Sequence, residues 1–70
     1  MKYFIAYKQT EDTYAYVTNI GTVVNTTLSY ALALNFLSKK NAQNVCSFLK
    51  EYDNSRDYVV LEYEYSISEV

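Results

Sequence analysis

Ala42, Val45, Cys46 and Leu49 recur at i, i+3, i+4 and i+7, the spacing that lines one side of an α-helix with apolar groups. On both sides of this stretch the chain alternates at period two, the pattern of strands. A lone amphipathic helix set between alternating segments restricts the fold to a sheet with that helix across one face. Ser38 stands where an N-cap is needed, since its hydroxyl can accept from the free amides of the first turn. Phe48 and Tyr52 widen the stripe, while Gln43, Asn44, Ser47 and Lys50 form the wet side. The helix should end near Tyr52, because Asn and Asp in "DNSRD" compete for the backbone and favour a turn.

The strands follow from alternation. Tyr3, Ile5 and Tyr7 fall on one face of Lys2–Lys8, with Lys2, Phe4, Ala6 and Lys8 on the other. The polar "QTEDT" suits a hairpin turn, after which "YAYVT", residues 14–18, resumes strand character. A loop of Gln9–Thr13 pairs Tyr7 with Ala15 and Ile5 with Val17; a loop of Thr10–Thr13 pairs Tyr7 with Tyr16. A slip of one residue exchanges the faces, so both registers stay open. Gly21, the only glycine, sits where a positive φ is easiest to accommodate. In "VVNTTLSYALALNF", Leu28, Ala31, Leu32, Asn35 and Phe36 fit a helical stripe capped by Thr26 or Thr27, yet Leu32, Leu34 and Phe36 also alternate. A helical turn near Leu28–Ala31 leading into a strand at Leu32–Phe36 is expected, with one helix through Phe36 as the alternative.

The last strand is expected from about Tyr58 to Ile67. Val59, Leu61, Tyr63 and Tyr65 share one face; Tyr58, Val60, Glu62, Glu64 and Ser66 share the other. Two glutamates on the even-numbered face turn the odd-numbered face inward. The expected architecture is a single α+β domain over residues 1–70, a small antiparallel sheet of three or four strands in ββ(β)αβ order with one helix on one face. A chain this short buries only about 60% of its unfolded surface, so its aromatic residues must carry much of the core.

Composition removes several kinds of chemistry. There is no histidine, so His-based acid–base catalysis and most zinc or copper sites are excluded. Cys46 is the only cysteine, which leaves no intrachain disulfide and no Cys-based zinc cluster. It lies on the apolar stripe with no base to form a thiolate, so it is expected to pack rather than react. Eight acidic residues against six basic give a net charge of −2. That charge supplies no attraction toward phosphate backbones, and nucleic acid is not the expected partner. "MKYFIAYKQ" is too short for a signal peptide and nothing approaches a membrane span, so a cytoplasmic protein without cofactor is expected. Asn25-Thr26-Thr27 matches a glycosylation sequon, read as chance without a secretion signal.

Two constellations remain. Tyr3, Tyr7, Tyr14, Tyr16, Tyr58, Tyr63 and Tyr65 all fall on expected strands. They could stack bases, as in a binder of single-stranded nucleic acid, but such platforms sit in basic grooves. Packing at the core rim with hydroxyls toward water suits them better. Tyr14, Tyr16, Tyr58 and Tyr65, with Glu62 and Glu64, are the candidate partner-binding residues. Glu62 and Glu64 point the same way, roughly 6–7 Å apart along a strand. With Glu69, Asp53 and Asp57 they could hold a metal or form an acid–base pair, but an exposed charged strand face accounts for them. Lys39 and Lys40 open the helix, where positive charge is slightly unfavourable, and can contact an acidic partner or simply stay solvated.

"MKYFIAY" opening a hairpin, then "SYALALNFLSKKNAQNVCSFL", then a valine-rich closing strand resembles the small uncharacterised proteins encoded by phages and prophages of Gram-positive bacteria. The resemblance runs over nearly the whole chain through generic elements, and it carries no enzymatic residues. It implies a small accessory protein, a group in which some members bind and block a host enzyme or defence complex. The expected function is therefore a non-enzymatic protein-binding module that modulates a host protein or self-associates through a sheet edge.

Overall fold

The computed structural model describes all 70 residues. Strands β1 (Lys2–Thr10), β2 (Thr13–Ile20) and β3 (Val24–Thr27) lead into a 3₁₀ turn at Tyr30–Leu32. Then follow β4 (Asn35–Phe36), helix α1 (Lys39–Tyr52), β5 (Val59–Tyr63) and β6 (Ile67–Glu69). The fold is α+β: an antiparallel sheet in the order β3-β2-β1-β5-β6, with β4 also beside β1, and one helix packed against it. The sheet exceeds the expected three or four strands because two further short segments, β3 and β6, join it.

Tyr7 faces Ala15, the first of the two hairpin registers, although the loop shortens to Glu11–Asp12 and an irregularity between Lys8 and Thr10 absorbs the difference. Beyond Tyr16, β2 leaves β1 and pairs with β3 instead. That departure strands the amides and carbonyls at the start of β1. Phe36 and Asn35 take them up opposite Tyr3 and Phe4, and the Leu34 N–H donates to the Val17 carbonyl at 3.0 Å to close the seam. The expected helical turn at Leu28–Ala31 lies two residues later and the expected strand from Leu32 contracts to its last two residues. Gly21 has no positive φ, and an added Cβ would meet nothing closer than the Val23 carbonyl at 4.0 Å. Here the β2–β3 turn does not use glycine's freedom.

Both faces of the sheet are packed. Pairing Ile5 with Val60 and Phe4 with Leu61 sends Tyr3, Ile5, Val17, Tyr58 and Val60 under Ala42, Cys46 and Leu49 of α1. Phe4, Ala6, Tyr16 and Leu61 go to the other face, where Ala33 of the connection to β4 joins them and Tyr14, Val59, Tyr63 and Ile67 rim the cluster. The odd-numbered face of β5 was expected to be the sole inner one; the helix in fact covers the even-numbered face. The glutamates misled because β5 ends at Tyr63, which leaves Glu64 and Tyr65 in the turn to β6 rather than on a strand.

Helix α1 begins as the sequence predicts. Ser38 accepts from the Asn41 N–H at 3.3 Å, and Ala42, Cys46 and Leu49 are its buried residues. Lys50 in the last turn complements the negative end of the helix dipole. No helix is long and apolar enough to cross a membrane.

Candidate protein-binding surface

The six residues singled out from the sequence do not share a surface. Tyr58 is wholly buried under the helix, so its ring is core and offers nothing to a partner. Tyr16 is also buried, edge-on to Phe4 with ring centroids 6.0 Å apart; burial raises its phenol above the ordinary value. Tyr14 is half-buried against Tyr16. Glu62 is half-buried opposite Tyr3 on the helix face, whereas Glu64 and Tyr65 are exposed in the β5–β6 turn, Tyr65 to 93%. Tyr14 and Tyr16 remain neighbours on β2, and Glu64 and Tyr65 sit together in the β5–β6 turn.

Tyr58 instead belongs to a lock at the helix C-terminus. Its hydroxyl donates to Asp53 Oδ2 at 2.8 Å, while the Ser55 N–H and hydroxyl donate to Oδ1. Arg56 lies 3.9 Å from the same carboxylate, with its guanidinium 4.7 Å above the centre of the Tyr7 ring. Tyr7 in turn meets Tyr58 edge-on at 5.9 Å. Hydrogen bonds from Ser55 and then Tyr58 hold the Asp53 carboxyl below its ordinary value of 3.8. A depressed pKa contributes stability that is complete above the unfolded value and is lost as pH falls through the folded one. The melting-temperature advantage of the wild type over Asp53→Asn should therefore be full at pH 7 and shrink below about pH 4. Thermal melts of both chains from pH 7 to pH 3 check this; a gap that widens in acid would contradict it.

Cys46 is buried, and burial first of all pushes its thiol up. A cleft of about 360 Å³ between α1 and the C-terminal strand touches Cys46, Lys50 and Glu69, but the sulfur stays protonated at neutral pH. The tyrosine-lined face has its own recess of about 280 Å³, bordered by Lys2, Phe4, Tyr30, Asn35 and Tyr63. Tyr30 lies over that face, 5.2 Å from Tyr63 and 6.0 Å from Phe4. Hydrogen bonding with Tyr63, followed by its charge, raises the Tyr30 phenol.

What stands out on the surface was not among the sequence candidates. Leu28, Leu32, Leu34 and Leu37, together with Tyr30, are all exposed along the connection from β3 to the helix; Leu32 is 72% exposed and Leu37 82%. They follow directly on β3, whose only strand neighbour is β2. From Thr13 through Ser38 no residue carries a charge; charges from elsewhere in the chain come close, Asp53 and Arg56 lining a recess with Val23 and Val24, and Lys2 bordering the one beside Tyr30. That run was the available signal. The spacing of Leu28, Leu32, Leu34 and Leu37 fits neither the helical nor the strand period throughout, which is how apolar residues outside both kinds of core look.

Comparison with family models, with curated proteins and with solved structures found no match.

Proposed function

We propose that the chain is a non-enzymatic protein-binding module of the cytoplasm that meets its partner on β3 and residues 28–37, segments without a charge of their own. The observation that carries this reading is the crowding of Leu28, Tyr30, Leu32, Leu34 and Leu37 onto one exposed connection. Single exposed apolar residues are ordinary, but contiguous groups of them mark interaction sites. The open edge of the preceding strand adds main-chain donors and acceptors to which a partner strand can pair. Charge supports a protein over a nucleic acid, since β3 and residues 28–37 themselves contain no lysine or arginine to neutralise phosphate. The resemblance to phage-encoded accessory proteins fits a module that works by occupying a host protein.

A photo-crosslinking amino acid placed at Leu32 tests the reading. Irradiated cells should give a discrete protein adduct from position 32 and none from Gln43, which is exposed on the helix. Adducts to nucleic acid, or equal labelling from both positions, would replace this reading with another.

A further inference from the structure

We infer that the partner at the β3 edge is a second copy of this chain, the two edges pairing antiparallel about a two-fold axis into one continuous sheet. The inference rests on the binding-module reading and names its occupant.

The two ends of the sheet differ in how they are guarded. At one end, β6 is short, carries Glu69 and follows a turn containing Glu64; charges of this kind discourage a strand from docking. At the other end, β3 reads VNTT with Val23 and Leu28 flanking it, both 66% exposed. It has no charge, no proline and no second strand beside it. Complementary charge is one means by which a foreign partner is steered and selected, and the residues of this edge offer none. Two identical copies of it bring no like charges of the strand itself together, and the Asp53 and Arg56 that line a recess with Val23 and Val24 have opposite signs. β-Branched Val24, Thr26 and Thr27 favour cross-strand pairing.

Symmetry restricts the geometry further. An axis perpendicular to the sheet keeps both helices on one side and places residues of equal parity opposite each other. Either Asn25 or Thr26 then lies on the axis, and Val24 faces Thr26 or Leu28 of the second copy. The helix side adds area. The Tyr52 hydroxyl donates to the Thr22 carbonyl at 2.9 Å, so Tyr52 and Phe48, stacked at 5.8 Å and 14°, stand toward the start of β3. Both rings are about half exposed and can each bury about 100 Å² more. With Val23, Leu28 and the paired backbone, each chain contributes about 600 Å², the lower end of what specific interfaces use.

Sedimentation velocity at about 100 µM, well above a micromolar Kd, tests this. The wild-type chain should sediment at twice its 8.1 kDa mass. Asn25→Lys and Val23→Lys, each at an exposed position, should weaken the dimer at least tenfold while leaving the circular dichroism spectrum unchanged, with any fall in melting temperature confined to the concentrations at which the wild type is dimeric. A monomeric wild type overturns the inference. So does a dimer that ignores both variants and dissociates with Ser68→Lys on β6. A monomer whose Leu32 crosslinker captures a different protein removes the second copy and keeps the binding module; a monomer with no protein adduct removes both.

Discussion

Replacing Tyr58 by alanine is expected to leave much of the chain unfolded at room temperature. The side chain is fully buried among Ile5, Val60, Cys46 and Leu49, and deleting a buried aromatic costs about 3–5 kcal/mol. A chain of this size has only roughly 4–10 kcal/mol of total stability. Tyr58→Phe keeps the ring and removes only the hydroxyl that donates to Asp53. It should cost about 1 kcal/mol, since Asp53 retains Ser55 and is partly solvated. Urea unfolding should rank the wild type first, Tyr58→Phe close behind and Tyr58→Ala far below. Should alanine cost no more than phenylalanine, the ring is not part of the core.

The second large effect lies on the face away from the helix. Leu61→Ala is expected to cost about 2–5 kcal/mol, as much as a leucine beneath the helix, because Leu61 is wholly buried with Phe4, Ala6 and Tyr16. The check is the urea midpoint with the slope unchanged. A two-layer protein with a wet outer sheet face would show a loss below about 1 kcal/mol, the ordinary range for surface positions.

That double-sided core marks the limit of what alternation could reveal. The helix was legible because Ser38, Ala42, Cys46 and Leu49 obey a single period from cap to C-terminus, and the β1–β2 hairpin because Tyr3, Ile5 and Tyr7 keep another. The "YVVL" run of residues 58–61 obeys neither. Continuous apolar residues signal a strand covered on both faces, and Tyr58 and Val60 go one way while Val59 and Leu61 go the other. Reading Glu62 and Glu64 as one wet face imposed alternation on a segment without it. The same error promoted Tyr58 and Tyr16 to candidate binding residues. A tyrosine hydroxyl can be satisfied locally, as Asp53 satisfies Tyr58, so tyrosine on a strand does not by itself indicate exposure. The surface leucines were hidden for the opposite reason: nothing in a leucine says which side of the chain it faces until Tyr30 and Ala33 have fixed the connection against the sheet.

β1 lies at the middle of the sheet, with β2 on one side and β5 on the other, so Ile5 is paired with Val60. During synthesis the first strand can form its hairpin with β2 early, because that closure is local. Its pairing with β5 joins residues far apart in the chain and must wait until β4 and α1 have been made. Until then Phe4, Ile5 and Ala6 present an open apolar edge, the state from which small β proteins aggregate. For this chain the sheet therefore stays incomplete until β5 arrives, and yield in cells should depend on how quickly it does.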